Sequence, residues 1–135
     1  MAVCQLAADS PVPSWALAGG FFSVTRSADE LSIVCQEHVC EERVCQEQLV
    51  PADVRVELGW VALKLEGPFP FSMTGVLASF LEPLTEAEIP IFAISTFDTD
   101  YVLIKRENLE QAVRALQVAG HHQFSPVQHL SLIHI

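Results

Sequence analysis

Basic side chains are scarce in this chain: 7 Lys and Arg stand against 17 Asp and Glu, a formal net charge of −10 over 135 residues. So acidic a surface is repelled by phosphate backbones and by anionic lipid, which argues against nucleic acid and against a membrane as partners. Long apolar runs are missing as well. No stretch approaches the roughly 20 consecutive apolar residues of a spanning helix. The N-terminus, MAVCQLAADSPVP, has no basic region ahead of its apolar residues and so does not read as a secretory leader. A strand that begins with the first residues is expected of a chain clipped upstream. Cysteine is confined to positions 4, 35, 40 and 45, and without a leader these are expected to be reduced thiols in a cytoplasmic protein. There is no Gly-rich phosphate loop, no G-x-S-x-G and no H-E-x-x-H, so no cofactor is implied and an enzyme is the least favoured class.

What is present is a folding composition. Half of the residues are apolar and 18% are charged, enough for one compact domain or two small ones sharing a core. Val3–Leu6 is a short apolar run, followed by a Pro-rich turn and a possible single helical turn at Ser14–Leu17. Phe21–Arg26 and Leu31–Cys35 are β-rich and joined by Ser27–Glu30, a hairpin-sized connection. Trp60–Leu65 alternates, with Val61, Leu63 and Leu65 on one face, and ends at Gly67-Pro68.

The period then changes. Val76, Leu77, Phe80, Leu81 and Leu84 follow helical spacing within Ser72–Ile89, with Ser72 or Thr74 as N-cap and a bend expected from Pro83 near Ser79. Ile91–Thr96 and Tyr101–Ile104 are expected strands around the turn Phe97–Asp100. A last helix, Asn108–Ala119, carries a capping-box spacing at Asn108 and Gln111 and a terminating Gly120. The order β-α-β-β-α implies an α+β fold with helices on one face of an antiparallel sheet. A ferredoxin-like unit needs one more strand; His122–Phe124 is short for it, so the N-terminal strands are expected to complete the sheet.

Three pieces carry a family resemblance: G-V-L-A at Gly75–Ala78, I-P-I at Ile89–Ile91, and I-S-T-F-D-T-D-Y-V-L at Ile94–Leu103. With the surrounding Gly75–Leu116 stretch they resemble an ACT domain, especially those related to the cytosolic arginine sensors of animals and to aspartate kinase regulatory domains. Trp15–Val34 resembles short bacterial members in which a truncated ACT-like unit precedes a complete one. The resemblance spans about residues 3–35 and 50–124. It implies a ferredoxin-like ACT fold, with a truncated unit at 1–56, an ACT domain at 57–124 and a tail at 125–135. It also implies a module that senses an amino acid or similar small ligand, or one that forms a homodimer without a ligand. By position, the ligand would be held by the loop Ser72, Met73, Thr74, Gly75 and Val76 and by the strand end Ser95, Thr96 and Asp100.

The residues permit that role without requiring it. A helix start at glycine exposes backbone N–H groups of positive dipole character, suited to a carboxylate. Asp100 can receive an ammonium or guanidinium group. Equally, Ser72 and Thr74 can be helix caps, and Asp98 and Asp100 can be turn residues. An acid–base pair at Asp98 and Asp100 is the enzyme reading, and residues two apart in a turn rarely aim at one point.

Val34–Gln48 reads VCQEH-VCEER-VCQEQ, three near-copies of five residues. A five-residue step puts Cys35, Cys40 and Cys45 on one side of neither a helix nor a strand. A tandem expansion of a surface loop at 36–48 is the favoured reading, and a metal or redox site using Cys35, His38, Cys40 and Cys45 the alternative. His121, His122 and His129 read as exposed tail residues. The last six, Leu130–Ile135 (LSLIHI), look like a translated sequencing adapter and are set aside.

Overall fold

The computed structural model describes residues 1–38, 54–66 and 73–127. The chain divides into two compact units, with the boundary between Trp60 and Val61.

The first unit holds β1 (Ala2–Leu6), a 3-10 turn (Ser14–Leu17), β2 (Ser23–Arg26), β3 (Leu31–Cys35) and β4 (Val54–Glu57), in the sheet order β2-β3-β1-β4. Alternation on β1 sends Ala2, Cys4 and Leu6 to one face, where they meet Leu31, Ile33 and Cys35 of β3 under the lid of Trp15 and Ala16. The β2–β3 connection is closed by Ser27, whose N–H donates to Glu30 O at 2.9 Å while its Oγ accepts from the Asp29 and Glu30 N–H groups at 3.2 Å. Arg26 donates to the carbonyls of Ala8 and Ser10, tying the chain after β1 to this hairpin. Cys35 is buried in this core; Cys40 and Cys45, the other thiols of the suggested metal set, lie outside the described residues. The expanded loop at 36–48 lies largely outside them too. Of its members, Glu37 is described as helical, and its Oε2 accepts the Gly59 N–H at 3.0 Å.

The second unit contains β5 (Trp60–Leu65, beginning at the boundary), α1 (Met73–Glu86), β6 (Ile91–Ser95), β7 (Asp100–Lys105), a 3-10 turn (Arg106–Asn108), α2 (Leu109–Val118) and β8 (Phe124–Pro126). The sheet order is β6-β7-β5-β8. Val61, Leu63 and Leu65 of β5, with Val102 and Ile104 of β7, share one core with Val76, Phe80 and Leu84 of α1 and with Ala112 and Leu116 of α2. Both helices therefore cover the same face of the sheet. This is the α+β arrangement that the order of elements implies and the ferredoxin-like fold that the ACT resemblance implies.

The fourth strand corrects the sequence reading. The N-terminal strands form their own sheet, and β8 completes this one, with Leu63 opposite Pro126 and Leu65 opposite Phe124. Val127 N–H donates to Ala62 O and Glu66 N–H to Gln123 O, both at 2.8 Å, so the ladder runs beyond the three residues of the strand. Proline is tolerated at 126 because β8 is an edge.

Both helices end in Schellman motifs. At α2, Gly120 (φ +94°) carries the left-handed residue; His121 N–H reaches Leu116 O at 2.9 Å and Gly120 N–H reaches Gln117 O at 3.0 Å. At α1 the same place is held by Glu88 at φ +59°, with Ile89 N–H on Leu84 O and Glu88 N–H on Thr85 O, both 3.0 Å. Ile89 and Leu84 then meet in the core, which is why an isoleucine follows the turn. A glutamate in that conformation costs about 1 kcal/mol relative to glycine. Glu88→Gly is expected to raise stability by up to that amount in urea unfolding; a loss would show that the Glu88 side chain contributes more than its backbone strain costs.

The capping box at Asn108 does not form. Asn108 is the last residue of a 3-10 turn, at φ −102° and ψ 0°, and makes no side-chain cap hydrogen bond. An N-cap side chain reaches back only from an extended backbone, and the preceding turn denies Asn108 that conformation. Thr74 is already the second residue of α1, so it is not the cap; Ser72 lies outside the described residues. His121 is not an exposed tail residue either: its ring stacks on Phe80, with centroids 4.0 Å apart.

Candidate functional site

α1 places Gly75 third in its first turn, among the four N–H groups that have no acceptor within a helix. No acidic residue stands in that turn to neutralise its partial positive charge. Met73 and Thr74 are the two helical residues before it. Val76 is 1% exposed and its side chain belongs to the core, so it turns no side chain toward a ligand.

The strand-end residues are organised by the β6–β7 hairpin. Ser95 and Asp100 are register partners, and Ser95 Oγ donates to Asp100 Oδ1 at 2.6 Å. Thr96 N–H donates to Thr99 O at 2.7 Å; its hydroxyl donates to the same carbonyl at 3.0 Å and accepts the Thr99 N–H at 3.2 Å. Thr96 and Thr99, not the aspartates, close the turn. Asp100 uses one oxygen on Ser95 and has no ion-pair partner among the described residues. Its second oxygen is the available acceptor.

Topology relates the two groups. β5 leads into α1, whose 14 residues run back roughly 21 Å along the sheet before β6 returns beside β7. The first turn of α1 and the β6–β7 tip therefore lie at the same end of this unit. Ser95, Thr96 and Asp100 stand together there, and Gly75 stands at the helix end above the strands. A helix N-terminus for a carboxylate and an unpaired carboxylate for a cation are the complements of a zwitterion.

Sequence reasoning missed one residue at this end. Phe97 sits at the hairpin tip and is 100% exposed. Its signal was available: between Thr96 and Asp98 it occupies a turn position that no core can reach. Phe97→Ser is expected to change stability by no more than about 0.5 kcal/mol in thermal or urea unfolding, since it removes no buried contact.

Comparison with known proteins agrees with the fold. The ACT-domain profile matches residues 55–118. A crystal structure of a protein from Agrobacterium tumefaciens is 40% identical, superposes with a TM-score of 0.74, and shares 90% of this chain and 88% of its own. The chain is an ACT-domain protein. A second profile, describing an N-terminal domain, matches residues 1–47 ahead of the ACT domain. The ligand-free regulatory subunit of aspartate kinase from Thermus thermophilus shares the fold at 17% identity and a TM-score of 0.64, over 89% of this chain and 93% of that one. The human protein CASTOR3P is 31% identical over 96 residues, 66% of this chain. This ACT-domain chain spans 56% of the length of that curated relative. Among the described residues no helix is long and apolar enough to cross a membrane.

Proposed function

We propose that this ACT-domain chain is a regulatory sensor rather than an enzyme, and that it binds an amino acid or a similar small zwitterion. The observation that carries the reading is the pairing of charges at one end of the second unit. The first turn of α1 carries no acidic residue to neutralise its N–H groups at Gly75, and Asp100, on the hairpin at the same end, has no ion-pair partner among the described residues. The ligand carboxylate takes the helix end and its ammonium takes Asp100, with Ser72, Met73, Thr74 and Val76 shaping the loop side and Ser95 and Thr96 the strand side. The segment up to about residue 56 is read as a truncated ACT-like unit accompanying the complete domain, and the protein as cytoplasmic, consistent with its thiols. Titration calorimetry and thermal-shift measurements against the twenty amino acids test this. One of them should bind, and at 100 times its dissociation constant it should add about 2.7 kcal/mol of stability. Absence of binding by all twenty at millimolar concentration overturns the sensor reading.

A ligand-free dimerising module is the second reading, and β6 is the observation that favours it. The strand Ile91–Ser95 is an edge with no charge and no proline, whereas the other edges carry Arg26, Arg55 with Glu57, and Pro126. If copies pair through β6, Ala93→Lys should convert the dimer to a monomer in analytical ultracentrifugation while leaving the fold intact.

A further inference from the structure

α1 contains Pro83, and proline has no N–H. In an α-helix the N–H of residue 83 would donate to the carbonyl of residue 79, so Ser79 O loses its partner within the helix. The Ser79 hydroxyl does not repair this, because it donates to Val76 O at 2.8 Å. The missing donor comes from outside the helix. His121 Nε2 lies 2.8 Å from Ser79 O, at a separation of 42 residues. A carbonyl can only accept, so Nε2 carries the proton. The ring is fixed a second time by stacking on Phe80, at 4.0 Å and 27°. Phe80 also meets Phe124 of β8 edge-on at 6.3 Å. The placement of His121 follows from the α2 terminus, where it is the residue after Gly120 and its N–H closes the Schellman motif on Leu116.

We propose that His121 is a clasp for α1: its Nε2–H replaces the N–H that Pro83 lacks, and this bond holds the two halves of α1 against the α2–β8 connection. Pro83 and His121 form one unit, each accounting for the other. Removing the proline should make the histidine dispensable.

A double-mutant cycle on the full chain tests this. His121→Phe keeps a stacking ring and deletes the donor. In the parent it should lower the folding equilibrium constant about tenfold, within the range for a part-buried carbonyl left without its partner. In the Pro83→Ala background Ser79 O regains the helical N–H, and the same change should cost about twofold or less. His121→Gln, which keeps an N–H at the end of its side chain, should recover part of the parent loss. In the unmutated chain, the imidazole nitrogen shifts should report Nε2–H with Nδ1 unprotonated when His121 is neutral. Losses in the two backgrounds that agree within about twofold, or an Nδ1–H tautomer for neutral His121, would overturn the proposal. None of these readouts involves a ligand, so they stand apart from the test of the sensor reading.

Discussion

Phe80→Ala should destabilise the protein by about 3–5 kcal/mol, the range for truncating a fully buried aromatic ring. Phe80 is 1% exposed and lies between both helices and the sheet, in contact with the His121 ring on one side and the Phe124 ring on another. The change removes apolar burial, leaves a cavity, and deletes two ring pairs worth roughly 0.5–1.5 kcal/mol each beyond their area. Against a total stability of about 5–15 kcal/mol this is a large fraction. The urea midpoint followed by ellipticity at 222 nm, which reports α1 and α2, should fall sharply, and the melting temperature should fall by about 10–15 °C. Val118→Ala is the control: it shortens an equally apolar residue that is 84% exposed at the end of α2, and should change stability by less than about 0.5 kcal/mol. A loss below about 1 kcal/mol for Phe80→Ala would mean that the core around α1 is not packed as described.

The same residue shows what a sequence discloses and what it hides. Phe80 was legible as core because Val76, Phe80 and Leu84 recur every four residues, and that spacing survives any detail of the packing. The strands Trp60–Leu65 and Leu31–Cys35 were legible for the analogous reason, and both keep their expected limits. β4 and β8 were not read as strands. Val54-Arg55-Val56-Glu57 does alternate, but over only four residues; β8 has three residues and includes a proline. Such short edges are held by the strand beside them, and their own side chains say little. The Asn108 capping box failed on a backbone angle set by the turn before it. The His121 clasp joins positions 42 residues apart, a relation no local pattern contains. At the candidate site the helix start and the hairpin were both legible. The bond from Ser95 to Asp100, and the closure of the turn by Thr96 and Thr99, were not, because Asp, Ser and Thr are interchangeable in turn statistics until register is known.

Register also sharpens the site prediction. Asp100→Asn keeps the shape of the side chain and an oxygen for Ser95 Oγ, so the hairpin should survive with little change in stability. The ligand ammonium, however, loses its counter-charge. Affinity for the amino acid that binds the parent should fall by about 1.5–3 kcal/mol, on the order of tenfold to a hundredfold, as read by calorimetry. Gly75→Val acts at the other end of the ligand and through a different cause. It lies in the first turn of α1, where replacing glycine should hold or slightly raise helix stability by a few tenths of a kcal/mol. A branched side chain there stands between the ligand carboxylate and the backbone N–H groups, so binding should be abolished while the melting temperature stays at or above that of the parent. Opposite movements of affinity and stability separate a ligand site from a structural role, which would lower both. Should Asp100→Asn bind as well as the parent, Asp100 is only the base of a hairpin. Should Gly75→Val also bind as well, the carboxylate is held somewhere other than the start of α1.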